Sequence, residues 1–135
     1  MASANAQRAR RCLPFKDFVR PLRDIADAVG LIEEFTAGMD FDAFREDPKT
    51  IAAVERKLLG ISEAAIRLGK EADLVCPGPP WGEIRGIGNW LRHQYDNIEL
   101  PVVWKTVRND LPPLKAVILR TLTTPGAKPM ITPEE

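Results

Sequence analysis

The chain has 135 residues, 44% of them hydrophobic and 28% charged, a composition that excludes wholesale disorder, collagen and coiled-coil classes and fits one folded domain. Lys plus Arg and Asp plus Glu balance at 19 each, which argues against generic duplex binding, since gripping a phosphate backbone calls for a basic excess. No apolar run of roughly 18 residues exists, and no apolar core follows the N-terminal basic residues, so neither a membrane span nor a signal peptide is expected and the protein reads as cytoplasmic. The charge is unevenly placed. Residues 1–23 hold six basic groups against Asp17, and residues 24–47 hold eight acids against Arg45, a pattern of either a basic arm with an acidic helix face or two solvated surfaces without a partner.

Residues 1–13 are small, polar and basic without apolar periodicity and read as a flexible arm. Pro14 and Pro21 punctuate the entry to a first helix, in which Ile25, Val29, Ile32 and Phe35 step by three and four onto one face and Gly38 provides the stop. Phe41 and Phe44 fall in a short segment, a single turn, before Asp47 caps a new helix with Pro48 at its first position. There Ile51, Val54, Leu58, Ile61, Ala65 and Leu68 keep the three-four rhythm over about five turns, while Glu55, Lys57, Ser62 and Arg67 lie mostly off that stripe. The stretch Cys76-Pro77-Gly78-Pro79-Pro80 must be loop, because proline removes a donor and restricts its neighbour.

A helix starting near Trp81 is expected to turn Ile84, Ile87, Trp90 and Leu91 inward despite Gly86 and Gly88. Each of those glycines costs roughly 1 kcal/mol relative to alanine inside a helix, so the close approach of another helix or of a phosphate is the expected reason for them. After Tyr95 the chain turns through Asp96 and Asn97 into a last helix with Pro101 in its first turn and Val103, Val107, Leu111, Leu114, Ile118 and Leu122 along one face. Pro112 and Pro113 are expected to kink or split it near Asp110. Residues from Thr124 on read as a tail, and no period-two alternation suggests strands. The expectation is an all-α, compact up-and-down bundle of about four to five helices over residues 14–123, flanked by the arm 1–13 and the tail 124–135.

His93 is the only histidine, so no site needing several histidines on one subunit is possible, and the acids form no recognisable metal-ligand spacing. Cys12 and Cys76 lack a partner at CxxC spacing and read as inert reduced thiols. On the helix carrying His93, Asn89 stands four residues earlier on the same face, Arg92 is adjacent and Tyr95 is two residues beyond. A base, a fixed cation, an amide and a phenol suit phosphodiester cleavage in RNA: imidazole can take a 2′-hydroxyl proton and guanidinium can stabilise a charged phosphorane, with no metal required. Acid and base roles need two titrating groups. A dimer placing two copies of this helix across a cleft would supply the second, with Gly86 and Gly88 permitting the approach. Arg56 and Glu63, seven apart on one face of the third helix, suit an ion pair or surface salt bridges. Trp81, Trp90 and Trp104 suit core or dimer packing, or stacking on bases.

The segment His93-Gln94-Tyr95 resembles the second half of the signature of HepT-like ribonuclease toxins in the HEPN superfamily: arginine, four to six residues, histidine, and tyrosine at one residue's remove. Ile32-Glu33-Glu34-Phe35 through Gly38-Met39, Val54-Glu55-Arg56-Lys57-Leu58 to Glu63-Ala64-Ala65, Pro80-Trp81 with Ile84-Arg85-Gly86, and Val103-Trp104 to Asp110-Leu111-Pro112 also resemble family landmarks, over roughly residues 15–122. The resemblance implies a compact helical bundle, a homodimer with facing motifs, and metal-independent, cofactor-free RNase activity used as a toxin. It implies a partner as well, a minimal, MntA-like nucleotidyltransferase antitoxin that in some members adds AMP to the motif tyrosine, here Tyr95. Other members are proposed only as substrate-binding or docking subunits of such transferases. At the usual place of the motif arginine, five residues before the histidine, this chain has Gly88. Arg85 lies eight residues from His93, about 12 Å along the axis at 1.5 Å per residue, so Arg92 is the first replacement within one chain, and Arg85 could serve across a dimer. The candidate site is therefore His93, Arg92, Arg85, Asn89 and Tyr95.

Overall fold

A computed structural model describes residues 17–93 and 99–123. The expected arm 1–13 with Cys12, Pro14, the turn at Asp96 and Asn97, Tyr95, and the tail 124–135 lie outside the described residues. Helix α1 (Val19–Phe35) starts where the Asp17 carboxylate accepts the backbone N–H groups of Val19 at 2.9 Å and Arg20 at 3.2 Å, two of the donors a helix start leaves unpaired. Pro21 sits in its first turn, and Leu22, Ile25, Val29 and Ile32 are buried, with Phe35 only partly so. Thr36 closes the helix by donating its hydroxyl to the Ile32 carbonyl at 2.8 Å, and Gly38, at φ +77°, takes the left-handed conformation that turns the chain away.

Helix α2 (Phe41–Arg45) is the expected single turn, capped by Asp40, which accepts the Ala43 N–H at 2.8 Å. Its Phe44 is fully buried, with its ring centroid 4.9 Å from that of Trp104. Helix α3 (Pro48–Leu68) begins as expected: Pro48 occupies the first turn, and Asp47 accepts the Thr50 backbone N–H at 3.1 Å and its hydroxyl at 2.8 Å. Val54, Leu58, Ile61, Ala65 and Leu68 are buried in one stripe. A 3₁₀ turn (Gly69–Glu71) and helix α4 (Ala72–Val75) follow, neither foreseen from the apolar rhythm, and Cys76 to Pro80 form the connecting loop.

Helix α5 (Trp81–His93) is anchored at its start by the buried Trp81, whose indole Nε1–H donates to the Cys76 carbonyl at 2.8 Å. Helix α6 (Leu100–Lys105) runs through a π-helical turn (Thr106–Asp110) into helix α7 (Leu111–Thr123). Pro112 and Pro113 cause the turn. Neither has an N–H, and an α register would press their rings against carbonyls one turn back. The chain widens there, with the Leu111 N–H reaching the Thr106 carbonyl five residues earlier, and the last helix is divided at Asp110 as expected. The wider turn keeps Val103 and Val107 on the buried side together with Leu111, Leu114 and Ile118.

The long helices pack in the spatial order α7, α1, α3, α5, and α2 bridges α3 and α6. No strand occurs among the described residues, so the architecture is an all-α bundle of four long helical segments with two short ones. Lys115 and Glu33 tie α7 to α1 at 2.8 Å, and Arg67 and Asp24 tie α3 to α1 at 3.0 Å, both pairs partly exposed and hence minor beside the apolar core.

The Asp47 cap yields a test. Its hydrogen bonds from Thr50 hold the carboxyl below the usual carboxylate range, so its stabilising contribution is present above the unfolded-state pKa and is lost as pH falls through the lowered one. Asp47→Ala is expected to lower the melting temperature at neutral pH, with the deficit closing towards the acid end of a thermal-melt series; a deficit constant with pH would show that the cap's charge contributes nothing.

Candidate active site at the end of helix α5

Helix α5 buries Trp81, Ile84, Gly88 and Leu91 on one face. Asn89, Arg92 and His93 are exposed at its C-terminal end, with Asn89 and His93 four apart and so neighbours on the helix surface. No hydrogen bond or ion pair engages these three side chains among the described residues, and Arg92 as a cation complements the negative end of the helix dipole. The site therefore offers a cation, an imidazole and an amide, none of them engaged by another of the described residues.

Arg85 is placed differently. It is half-buried, two turns back along α5, and its Nη1 donates to the Gly69 carbonyl at 3.4 Å, satisfying a carbonyl at the end of α3. It is thus not gathered with His93 in its own chain. Tyr95, the remaining candidate, lies outside the described residues.

Gly88 is buried for a reason inside the chain. Its N–H donates to Ser62 Oγ at 3.1 Å, while that hydroxyl donates to the Arg85 carbonyl at 2.8 Å. A Cβ at position 88 would stand 3.1 Å from Ser62 Oγ and 3.5 Å from Leu59 Cδ2. The close approach expected of the two glycines is therefore made by α3 at Gly88, whereas at Gly86 a Cβ would meet nothing within 4 Å. Ser62, read from the sequence as lying off the apolar stripe, is 1% exposed, and Gly88, at the usual place of the motif arginine, is a packing point.

The other singled-out residues have structural places. Trp81 is core, and Trp104 packs against Phe44 with the two rings tilted by 34° and carries the Arg108 guanidinium 5.3 Å from its ring centre. Arg56 and Glu63 are exposed and line a groove between α1 and α3 of about 420 Å³, together with Asp24, Asp27, Gly60 and Arg67. No ion pair joins Arg56 to Glu63; Arg67 takes Asp24 instead. Cys76 is free and buried, and burial pushes its thiol pKa up, which makes it a poor nucleophile. Among the described residues no cluster of three or more His, Cys, Asp and Glu side chains is arranged to hold a metal ion, and no helix is long and apolar enough to cross a membrane.

The α3–α5 contact is open to a double-mutant test. Gly88→Ala is expected to cost about 1–3 kcal/mol through overpacking, outweighing a helix-propensity gain of about 1 kcal/mol, because Ser62 is held by two hydrogen bonds and cannot yield cheaply. Adding Ser62→Gly should remove much of that cost. Urea unfolding of the four proteins checks it, and strictly additive effects would show that the two positions do not couple.

Residues 25–121 match the sequence profile of the family described as Ribonuclease HepT-like. A protein of Thermococcus cleftensis provisionally named ribonuclease HepT is 42% identical over 94 residues, 70% of this chain and 86% of the relative. Two proteins of Methanocaldococcus jannaschii provisionally named RNases are 33% identical over 94 residues (70% of this chain, 86% of the relative) and 35% identical over 100 residues (74% and 83%). No solved structure matches the chain. With the family profile spanning most of the helical bundle and its relatives covered over most of their own length, this chain belongs to the HepT-like ribonuclease family.

Proposed function

We propose that the protein is a metal-independent endoribonuclease that acts as the toxin of a bacterial toxin-antitoxin system, as a homodimer, with its functional domain over residues 14–123. The observation that carries this reading is the exposed set of Asn89, Arg92 and His93 at one end of α5, in a chain whose relatives are provisionally named as ribonucleases. His93 acts as general base or acid on the ribose 2′-hydroxyl or the leaving oxygen. Arg92 stabilises the charge that builds on the phosphorane, Asn89 orients the phosphate, and Tyr95 assists. These groups supply proton transfer and charge stabilisation without a metal ion. Arg85, occupied at Gly69 in its own chain, enters the chemistry only from a partner subunit.

In this reading the cognate partner is a minimal nucleotidyltransferase that neutralises the toxin by adding AMP to Tyr95. A second reading is favoured by one observation: Ser62 fills the space beside Gly88, where the family signature carries arginine. The protein would then be a non-catalytic subunit that docks the transferase.

RNA cleavage by the purified chain in EDTA separates the two. The nuclease reading expects the parent to cut RNA and His93→Ala to lose about 10²–10⁴-fold of the rate, with Arg92→Ala similarly impaired. Absence of cleavage by the folded, unmodified dimer across varied RNAs would favour the docking subunit. The modification is tested separately: after incubation with the cognate transferase and ATP, peptide mass spectrometry should find AMP on Tyr95 of the parent and none on Tyr95→Phe, and an unmodified parent would remove the AMP transfer from the proposal.

A further inference from the structure

Three side chains form a stack that runs from the core to the surface beside helix α6. Phe44 of α2 is fully buried, and its ring centroid lies 4.9 Å from that of Trp104. The Trp104 indole is half-buried, and the exposed Arg108 guanidinium stands over it, 5.3 Å from the ring centroid. A ring in the core, an indole at the boundary and a guanidinium at the surface are thus successive layers. Cation–π attraction, rather than a carboxylate, fixes the outermost.

Charge balance sets Arg108 apart. Arg45, over the Phe41 ring at 5.8 Å, resembles it in geometry but is paired with Asp42 and Glu46. Asp110, two residues from Arg108, is matched by Lys105 at 3.8 Å. Glu33, which lines a recess of about 290 Å³ together with Arg108, Thr36 and Pro112, is matched by Lys115 at 2.8 Å. No hydrogen bond or ion pair engages the Arg108 side chain among the described residues, so its N–H donors remain available.

Single-stranded RNA needs both things this stack supplies. An unpaired base presents a π face that stacks on an aromatic or guanidinium plane, and a phosphate beside it accepts N–H groups from the same guanidinium. A stable protein contact would instead call for an apolar centre, whereas the exposed neighbours Lys105, Asn109 and Asp110 are polar. The stack is also close in the chain to the candidate site. Six residues separate His93 at the end of α5 from Leu100 at the start of α6, a span of at most about 25 Å at roughly 3.5 Å per residue. Trp104 follows one turn later, and Arg108 sits within the π-helical turn, a distortion that recurs at functional sites.

We propose that Arg108, backed by Trp104, is a stacking platform that holds an unpaired nucleotide of the RNA outside the cleavage site. The base lies on the guanidinium, and the adjacent phosphate takes its N–H groups. The identity of the ligand rests on the nuclease reading above. Arg108 is then a binding residue remote from the scissile phosphate. It grips ground state and transition state alike and so acts on KM rather than kcat.

The test is RNA binding by the full-length chain carrying His93→Ala, which prevents cleavage during the measurement. Fluorescence anisotropy follows a labelled single strand of about 12 nucleotides and the corresponding duplex. Adding Arg108→Ala is expected to weaken single-strand binding about 5- to 100-fold, the range for losing one stacked base, and to change duplex binding far less, because paired bases offer no free face. Arg108→Lys should keep the parental salt dependence without restoring the affinity, since it returns the charge but not the plane. Arg45→Ala removes a guanidinium already matched by carboxylates and should leave binding unchanged. Arg108 is exposed, so these variants should melt with the parent, and a loss of binding is then a loss of contact. Absence of RNA binding, equal affinity with and without Arg108→Ala, or full rescue by Arg108→Lys overturns the platform. Cleavage in EDTA with His93 intact judges the nuclease reading separately. Arg108-dependent binding without cleavage retains the platform and removes the nuclease, whereas cleavage with a KM indifferent to Arg108→Ala retains the nuclease and removes the platform.

Discussion

The close contact of α3 with α5 is the constraint on which the rest of the site depends. Ser62 bonds simultaneously to the Arg85 carbonyl and the Gly88 N–H, and a Cβ at position 88 would crowd its hydroxyl at 3.1 Å. That single contact sets the separation and register of the two helices. It also determines which residues of α5 turn outward: with Gly88 and Leu91 pressed inward, Asn89 and His93 must face solvent. A helix positions these groups more rigidly than a loop would, and the buried Trp81 at the opposite end holds that helix in place.

Much of the bundle was legible in the sequence because it rests on local physics. The apolar steps of three and four in α1 and α3 became buried stripes, and the Asp47–Pro48 pair became the start of α3 in the expected geometry. The proline-rich loop before Trp81 was equally plain. What could not be read was set by atoms distant in the chain. Ser62 finds its partners 23 and 26 residues away, so its polar character pointed to solvent when the fold placed it inside. Phe35 continued the rhythm of α1 but remains partly exposed, lying at the end of the helix where the core no longer covers it.

The candidate site was legible in the same uneven way. Helical spacing was enough to put Asn89 beside His93 and to separate Arg85 from them, and the structure agrees on both. It could not say that Arg85 closes the carbonyl end of α3 through Gly69, nor which glycine of α5 needed its small size.

The widened turn between α6 and α7 ties the length of this chain to its composition. A π-helical turn accommodates one residue more than an α-helical turn while keeping the flanking faces in phase, and here that spare residue gives Pro112 and Pro113 the room their rings require. Deleting a residue from Thr106–Asp110 would tighten the turn against the prolines, and replacing the prolines would remove the reason for the extra residue. Chain length and the proline pair are coupled traits in this segment, to be gained or lost together as such sequences diverge.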